Sequence, residues 1–170
     1  MIERLSKTFL VALVAVVLGL ATFNNLTDYG SNFEFVKHVL AMDTTFPGNR
    51  LMYRSMTSPV VHHLFYASII LWEAATFFAV SLGAWRLWKA RHSAAAFTAA
   101  KPLAIGAITA NLGLWFFAFL TVGGEWFVMW QSQTWNGQNA AFRMFTCIGI
   151  ILLFLKTPDT DTDTPRPPAP

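Results

Sequence analysis

Residues 60–88 read VVHHLFYASIILWEAATFFAVSLGAWRLW, and this stretch decides the fold. From Val60 to Ala84 the only formal charge is Glu73, whereas crossing hydrocarbon takes roughly 20 apolar residues of helix at about 1.5 Å each. A membrane-spanning helix with an acid near its centre is therefore expected. At about 100° per residue, His62, Tyr66, Ile69 and Glu73 share one narrow sector. Holding an ionisable group at mid-span costs about 3 kcal/mol on insertion scales, so that face is expected to point into protein.

Three further apolar runs fit the same description. With the first they give spans at about 8–26, 60–86, 102–122 and 139–156. In a chain of 170 residues, 55% hydrophobic content and 12% charged residues leave too little polar surface to cover a soluble globule. The expected fold is an all-α membrane protein, a four-transmembrane-helix bundle forming one domain over 1–156. The remainder, 157–170, is acidic and Pro-rich and is expected to be a disordered tail. A single cysteine, Cys147, excludes an intrachain disulfide and any cysteine-built zinc or iron–sulfur centre within one chain. No nucleic-acid motif, P-loop, nucleotide-binding glycine pattern, HExxH or GxSxG is present. Soluble-type enzyme chemistry is not expected.

Arg4 and Lys7 precede FLVALVAVVLGLA, a pattern shared by secretory signals and first transmembrane helices. Gly19 and Ala21 offer a small-x-small cleavage site, but continuation through Thr22, Phe23 and Leu26 favours an uncleaved span. The 27–59 segment contains a short helix capped at Ser31 or Asn32, with Phe33, Val36, Val39 and Leu40 at helical spacing. It is expected either on the membrane surface or as a lid over the bundle. A turn at Phe46 to Asn49 follows, then a helical turn holding Arg50, Tyr53 and Arg54. Trp126, Trp130 and Trp135, between Gly123-Gly124 and the last span, suit an aromatic belt at the same interface.

Topology follows from the positive charges. Arg4, Lys7, Arg86, Lys89, Arg91, Lys101, Lys156 and Arg166 fall at one end, against Lys37, Arg50, Arg54 and Arg143 at the other. The positive-inside rule then places both termini in the cytoplasm and the 27–59 and 123–138 loops outside.

The chemistry concentrates in the outer half. Spans two and three are antiparallel, so Glu73 and Asn111 are expected at similar depth and hydrogen-bonded to each other. Gly106, Ala110 and Gly113 stand at spacings that permit close helix approach. Arg143, about one turn into the last span, is expected to snorkel outward. The candidate intramembrane site is thus Glu73, Asn111, Tyr66, His62 and Arg143, with an outer interface of Trp126, Trp130, Trp135, Arg50 and Arg54. Its structural reading is a carboxyl that serves helix packing alone. Its functional readings are proton or ion handling, or a quinone or lipid pocket using His62, Tyr66, Trp126, Trp130 and Arg143. His38, His62 and His63 could in principle ligate haem b, but spans one, three and four contain no histidine. Adjacent His62 and His63 diverge by about 100° and cannot both serve one metal on a regular helix. No cofactor is therefore expected outright.

FVKHVLAMDTTFPGNRLMYRSM (35–56), WEA (72–74) and EWFVMWQSQTWNGQNAAFR (125–143) together resemble a bacterial family of uncharacterised predicted small integral membrane proteins. The resemblance covers nearly the whole chain apart from the tail. It implies a four-helix inner-membrane protein and carries no biochemical activity. On these grounds the chain is expected to be an accessory or interaction subunit, in contact with lipid and with other membrane subunits or copies of itself. The alternative is a redox or proton/ion-transport component using the outer-half site.

Overall fold

The computed structural model describes residues 1–161. Five helices account for most of it: α1 (Ile2–Thr27), α2 (Tyr29–Ala41), α3 (Pro59–Ala90), α4 (Ala94–Gly113, continuing as a wider helix through Leu114–Trp126) and α5 (Gln138–Lys156). All but α2 are long and apolar enough to cross a membrane. Helix α3 lies between α1 and α4, while α5 packs mainly on α4 and its wide continuation. This is the all-α bundle expected from hydropathy, with different helix ends.

The third span begins at Ala94, well before Pro102. Ser93 accepts a hydrogen bond from the Ala96 N–H at 3.3 Å and so caps a run of strong helix formers. Pro102 sits inside this helix on an exposed face, where its missing N–H leaves one carbonyl unpaired without a clash into the bundle. Helix α3 starts where the sequence places it, with Pro59 in its first turn.

From Leu114 to Trp126 the α4 chain widens into π-type turns. The Phe127 N–H bonds to the Val122 carbonyl at 3.0 Å, and Thr121 Oγ1 donates to the Phe116 carbonyl at 3.0 Å, both five residues back. Extra residues per turn enlarge the radius, and such insertions commonly accompany functional sites.

Close helix approach is made by a different glycine from those expected. A Cβ on Gly83 of α3 would stand 2.9 Å from Ala104 Cα of α4, whereas one on Gly106 would meet nothing within 4 Å. Gly106 and Ala110 are exposed on the outward face of α4. The sequence spacing identified a small-residue face, but α3 meets it only through the Trp72 ring, which donates to the Ala110 carbonyl at 3.0 Å and would stand 3.9 Å from a Cβ on Gly113.

Two apolar cores result. One, built on Val11, Val14, Leu18, Val80, Leu87 and Ile108, fills the bundle toward the end rich in Lys and Arg. The other, built on Val36, Leu40, Met42, Tyr66, Phe127 and Met129, lies under a cap at the opposite end. Helix α2 is that cap's main piece. It is a lid, burying Val36, Val39 and Leu40 against the bundle. The two loops of the cap end are joined by Thr44 Oγ1 to Ser132 Oγ at 2.8 Å and by the Phe46 N–H to Gln131 Oε1 at 3.1 Å.

At the basic end, residues 157–161 fold back onto the bundle. This corrects the expected tail boundary, and the rest of that tail, 162–170, lies outside the described residues. The Asp159 side chain is fully enclosed, bonds Lys7 Nζ at 2.8 Å and forms an ion pair with Lys101. Both lysines also donate to the Thr157 carbonyl, at 3.0 and 2.7 Å. Asp161 accepts from Arg4 at 2.6 Å and from the Ala94 N–H. Basic residues that the charge rule reads as topological signals therefore also tie α1, α4 and the post-α5 strap together.

Burial pushes the Asp159 carboxyl up, but hydrogen bonds and charge from Lys101 and Lys7 outweigh it and hold it below the ordinary value of 3.8. The Ala94 N–H and then Arg4 lower Asp161 in the same way. A group depressed in the folded state contributes fully above its unfolded value, and that contribution disappears as pH falls through the folded one. Thermal unfolding in detergent, followed by circular dichroism, is expected to lose stability below about pH 4. In Asp159→Asn this acid-dependent loss is expected to shrink.

Candidate functional site

Glu73 is 4% exposed, and Asn25, near the end of α1, is its partner. Asn25 Nδ2 donates to Glu73 Oε2 at 2.6 Å. The Asn25 side-chain Oδ1 in turn accepts from Asn32 Nδ2 of α2 at 2.6 Å and from the Tyr66 hydroxyl at 3.0 Å. One amide thus joins α1, α2 and α3. Asn32 is exposed at the cap surface, so a hydrogen-bonded file of Asn32, Asn25 and Glu73 runs from that surface to the buried acid.

The expected pairing of Glu73 with Asn111 is not formed. Asn111 is fully buried, but its Nδ2 reaches Thr76 Oγ1 at 3.5 Å, one turn deeper along α3 than Glu73. Depth along the membrane normal brought the two residues to neighbouring turns, and rotation about the helix axes selected a different partner. Asn111 Oδ1 and Trp115 Nε1 are buried without hydrogen-bond partners among the described residues.

Glu73 Oε1 also has no hydrogen-bond partner among the described residues. The acid lines a cavity of about 300 Å³ whose other walls include Asn24, Asn25, Asn32, Tyr66, Phe35, Trp115 and Phe119. Trp115 and Phe119 come from the widened part of α4. A space of this size, walled by aromatic and aliphatic side chains together with a few polar groups, has the character of a small-molecule site. Toward the basic end it is closed by Phe77, Val80, Leu18 and their neighbours in the apolar core.

The remaining sequence candidates are elsewhere. His62 is buried, and its Nε2 contacts the Met56 carbonyl at 2.6 Å, which ties the cap loop to the start of α3. His63 stacks on Phe33 at 4.2 Å and bonds the Tyr29 hydroxyl through Nδ1. His38 lies between Asp43, at 2.8 Å, and the face of Trp135. The three rings have different partners in the cap. Arg143 is exposed on α5, apart from the cavity, with no hydrogen bond or ion pair among the described residues. Arg54 stacks over Trp126 at 4.6 Å and donates to its carbonyl, Trp130 meets Phe46 edge-on, and Arg50 is exposed. The outer belt therefore fastens the cap, while the acid's own environment is made by Asn25, Asn32 and Tyr66. Asn25 and Asn32 carried one legible signal: amides placed where an apolar span meets a structured loop.

The family model described as "Predicted small integral membrane protein (DUF2165)" matches residues 3–158. The chain belongs to this family. The match takes in every described helix apart from the first residue of α1, together with the first turn of the strap that holds Lys7 and Lys101. The description agrees with four apolar helices of spanning length and with direct contact between this family member and the lipid bilayer. No curated protein and no solved structure matches the chain.

Proposed function

We propose that this protein is a membrane component that binds a small substrate at the Glu73 cavity and exchanges a proton with it, in the redox or transport class. The observation that carries this reading is the unbonded Oε1 of Glu73 in a cavity of about 300 Å³. An acid serving helix packing alone has both oxygens enclosed by neighbouring groups, whereas Glu73 lines an open cavity and only its Oε2 is held, by Asn25. Here one oxygen is left for a ligand. The Asn32–Asn25 pair makes the cap side of the site polar, and the apolar core closes the other side.

The positive-inside count supports a cap on the outer side and both termini in the cytoplasm, and the reading takes the membrane as a bacterial inner membrane. The site then opens to the outer half of the bilayer. An accessory subunit, by contrast, would need Glu73 only as a packing group.

Infrared difference spectroscopy on the reconstituted protein separates the two roles. The expected result is a carboxyl C=O band that responds to a pH step and is absent in Glu73→Gln, a variant whose shape and stability stay within about 1 kcal/mol of the parent. A carboxyl band that never responds at any pH the fold tolerates would leave Glu73 a packing residue and return the protein to the accessory class.

A further inference from the structure

A second cavity, of about 200 Å³, adjoins the first. Phe35, Val36, Ile69 and Phe119 line both. The second is walled almost entirely by apolar side chains, and its one side-chain hydroxyl, Ser68, donates to the Phe65 carbonyl of its own helix. Trp72 and Phe117 on its wall are 46% and 63% exposed, so it opens on the lipid-facing side between α3 and the widened helix.

A polar chamber beside an apolar one that opens to lipid fits a single amphipathic occupant, and this inference rests on the reading of Glu73 as a ligand site. Among the described residues no Lys, Arg or His lines either cavity, which disfavours a phosphate or carboxylate head beside an acid. Entry through hydrocarbon disfavours a fixed charge of either sign. The aromatic walls suit a flat ring, and Glu73 Oε1 suits a head that shares a proton in a hydrogen bond. We infer that the occupant is an uncharged, lipid-soluble molecule with a hydroxyl- or carbonyl-bearing ring head in the Glu73 chamber and an alkyl or isoprenoid chain in the apolar one, the chemistry of a membrane quinol or quinone.

The test is equilibrium binding of a decyl-chain benzoquinone to the full-length protein in mild detergent. Tetraphenylphosphonium and oleate serve as cationic and anionic comparisons. Gly113→Leu fills the apolar chamber without touching Glu73, because a Cβ there meets nothing closer than Trp72 at 3.9 Å. Ser68→Leu does the same from α3. Saturable quinone binding, weakened tenfold or more by either variant that retains the parent's melting profile, is the expected result. Absence of saturable quinone binding overturns the inference, as does binding unaffected by both variants. Tight binding of tetraphenylphosphonium alone would overturn the ligand class while leaving Glu73 a ligand site. The infrared response of Glu73 judges that site independently.

Discussion

Asp159→Ala is expected to destabilise the protein by about 3–5 kcal/mol, the largest effect of any single substitution considered. It leaves two cations buried at once: the side chains of Lys7 and Lys101 are 0% and 7% exposed, and that of Asp159 is 0% exposed. Breaking a buried pair from one side costs this much because the remaining charge keeps its desolvation penalty and loses its compensation. Glu3 also touches Lys7 at 2.8 Å, but it is half exposed and cannot replace an enclosed carboxylate. The strap carrying Asp159 joins the starts of α1 and α4, so the loss should appear as a cooperative shift in unfolding by denaturing detergent. Asp161→Ala, which removes a half-exposed partner of Arg4, is expected to cost far less, because solvent screens that pair. Equal effects of the two substitutions would mean that Asp159 is not enclosed by the two lysines.

Asn25→Leu is the second large effect, about 3 kcal/mol. The substitution keeps approximate volume but removes one donor and one doubly used acceptor. Glu73 Oε2 and the Tyr66 hydroxyl are left buried and unmet, at about 1–3 kcal/mol each, while Asn32 can turn to water. Because Asn25 joins α1, α2 and α3, the lid should loosen as well. Amide hydrogen exchange over Tyr29–Ala41 is expected to rise more than exchange over Val11 to Leu18, which lies in the opposite core. Exchange that rises uniformly would show that Asn25 contributes to general stability without holding the lid.

These two residues also mark what the sequence could and could not tell. Spans are legible because crossing hydrocarbon is a local requirement, met by each run of residues by itself. Glu73 was legible for the same reason: an acid surrounded by apolar residues stands out without knowledge of its neighbours. Its partner was not. Asn111 matched in depth, but contact also requires matching rotation about the helix axes, and packing set by Gly83 against Ala104 determines that rotation. Asn25 is separated from Glu73 by 48 residues and a lid, and no periodicity connects them.

The basic end shows the same division. Arg4, Lys7 and Lys101 were legible as topological charges, whereas the pairing of Lys7 and Lys101 with Asp159, and of Arg4 with Asp161, was hidden in a Pro-rich, Asp-Thr-rich tail. Composition alone describes such a tail as unable to pack, but two buried lysines supply what its own residues lack. The third span's start was missed for a different reason. Pro102 reads as a boundary in a soluble helix, whereas Ser93 supplies the cap here and Pro102 is carried on an exposed face.

The most direct measurement is native mass spectrometry of the protein isolated from its own membrane in mild detergent, run beside Gly113→Leu. The account predicts the protein alone or as a homo-oligomer, carrying one small lipid-soluble ring compound per chain that is missing from the variant. A stoichiometric assembly with other subunits, and no small molecule in either form, would contradict it and make the protein an accessory to its partners.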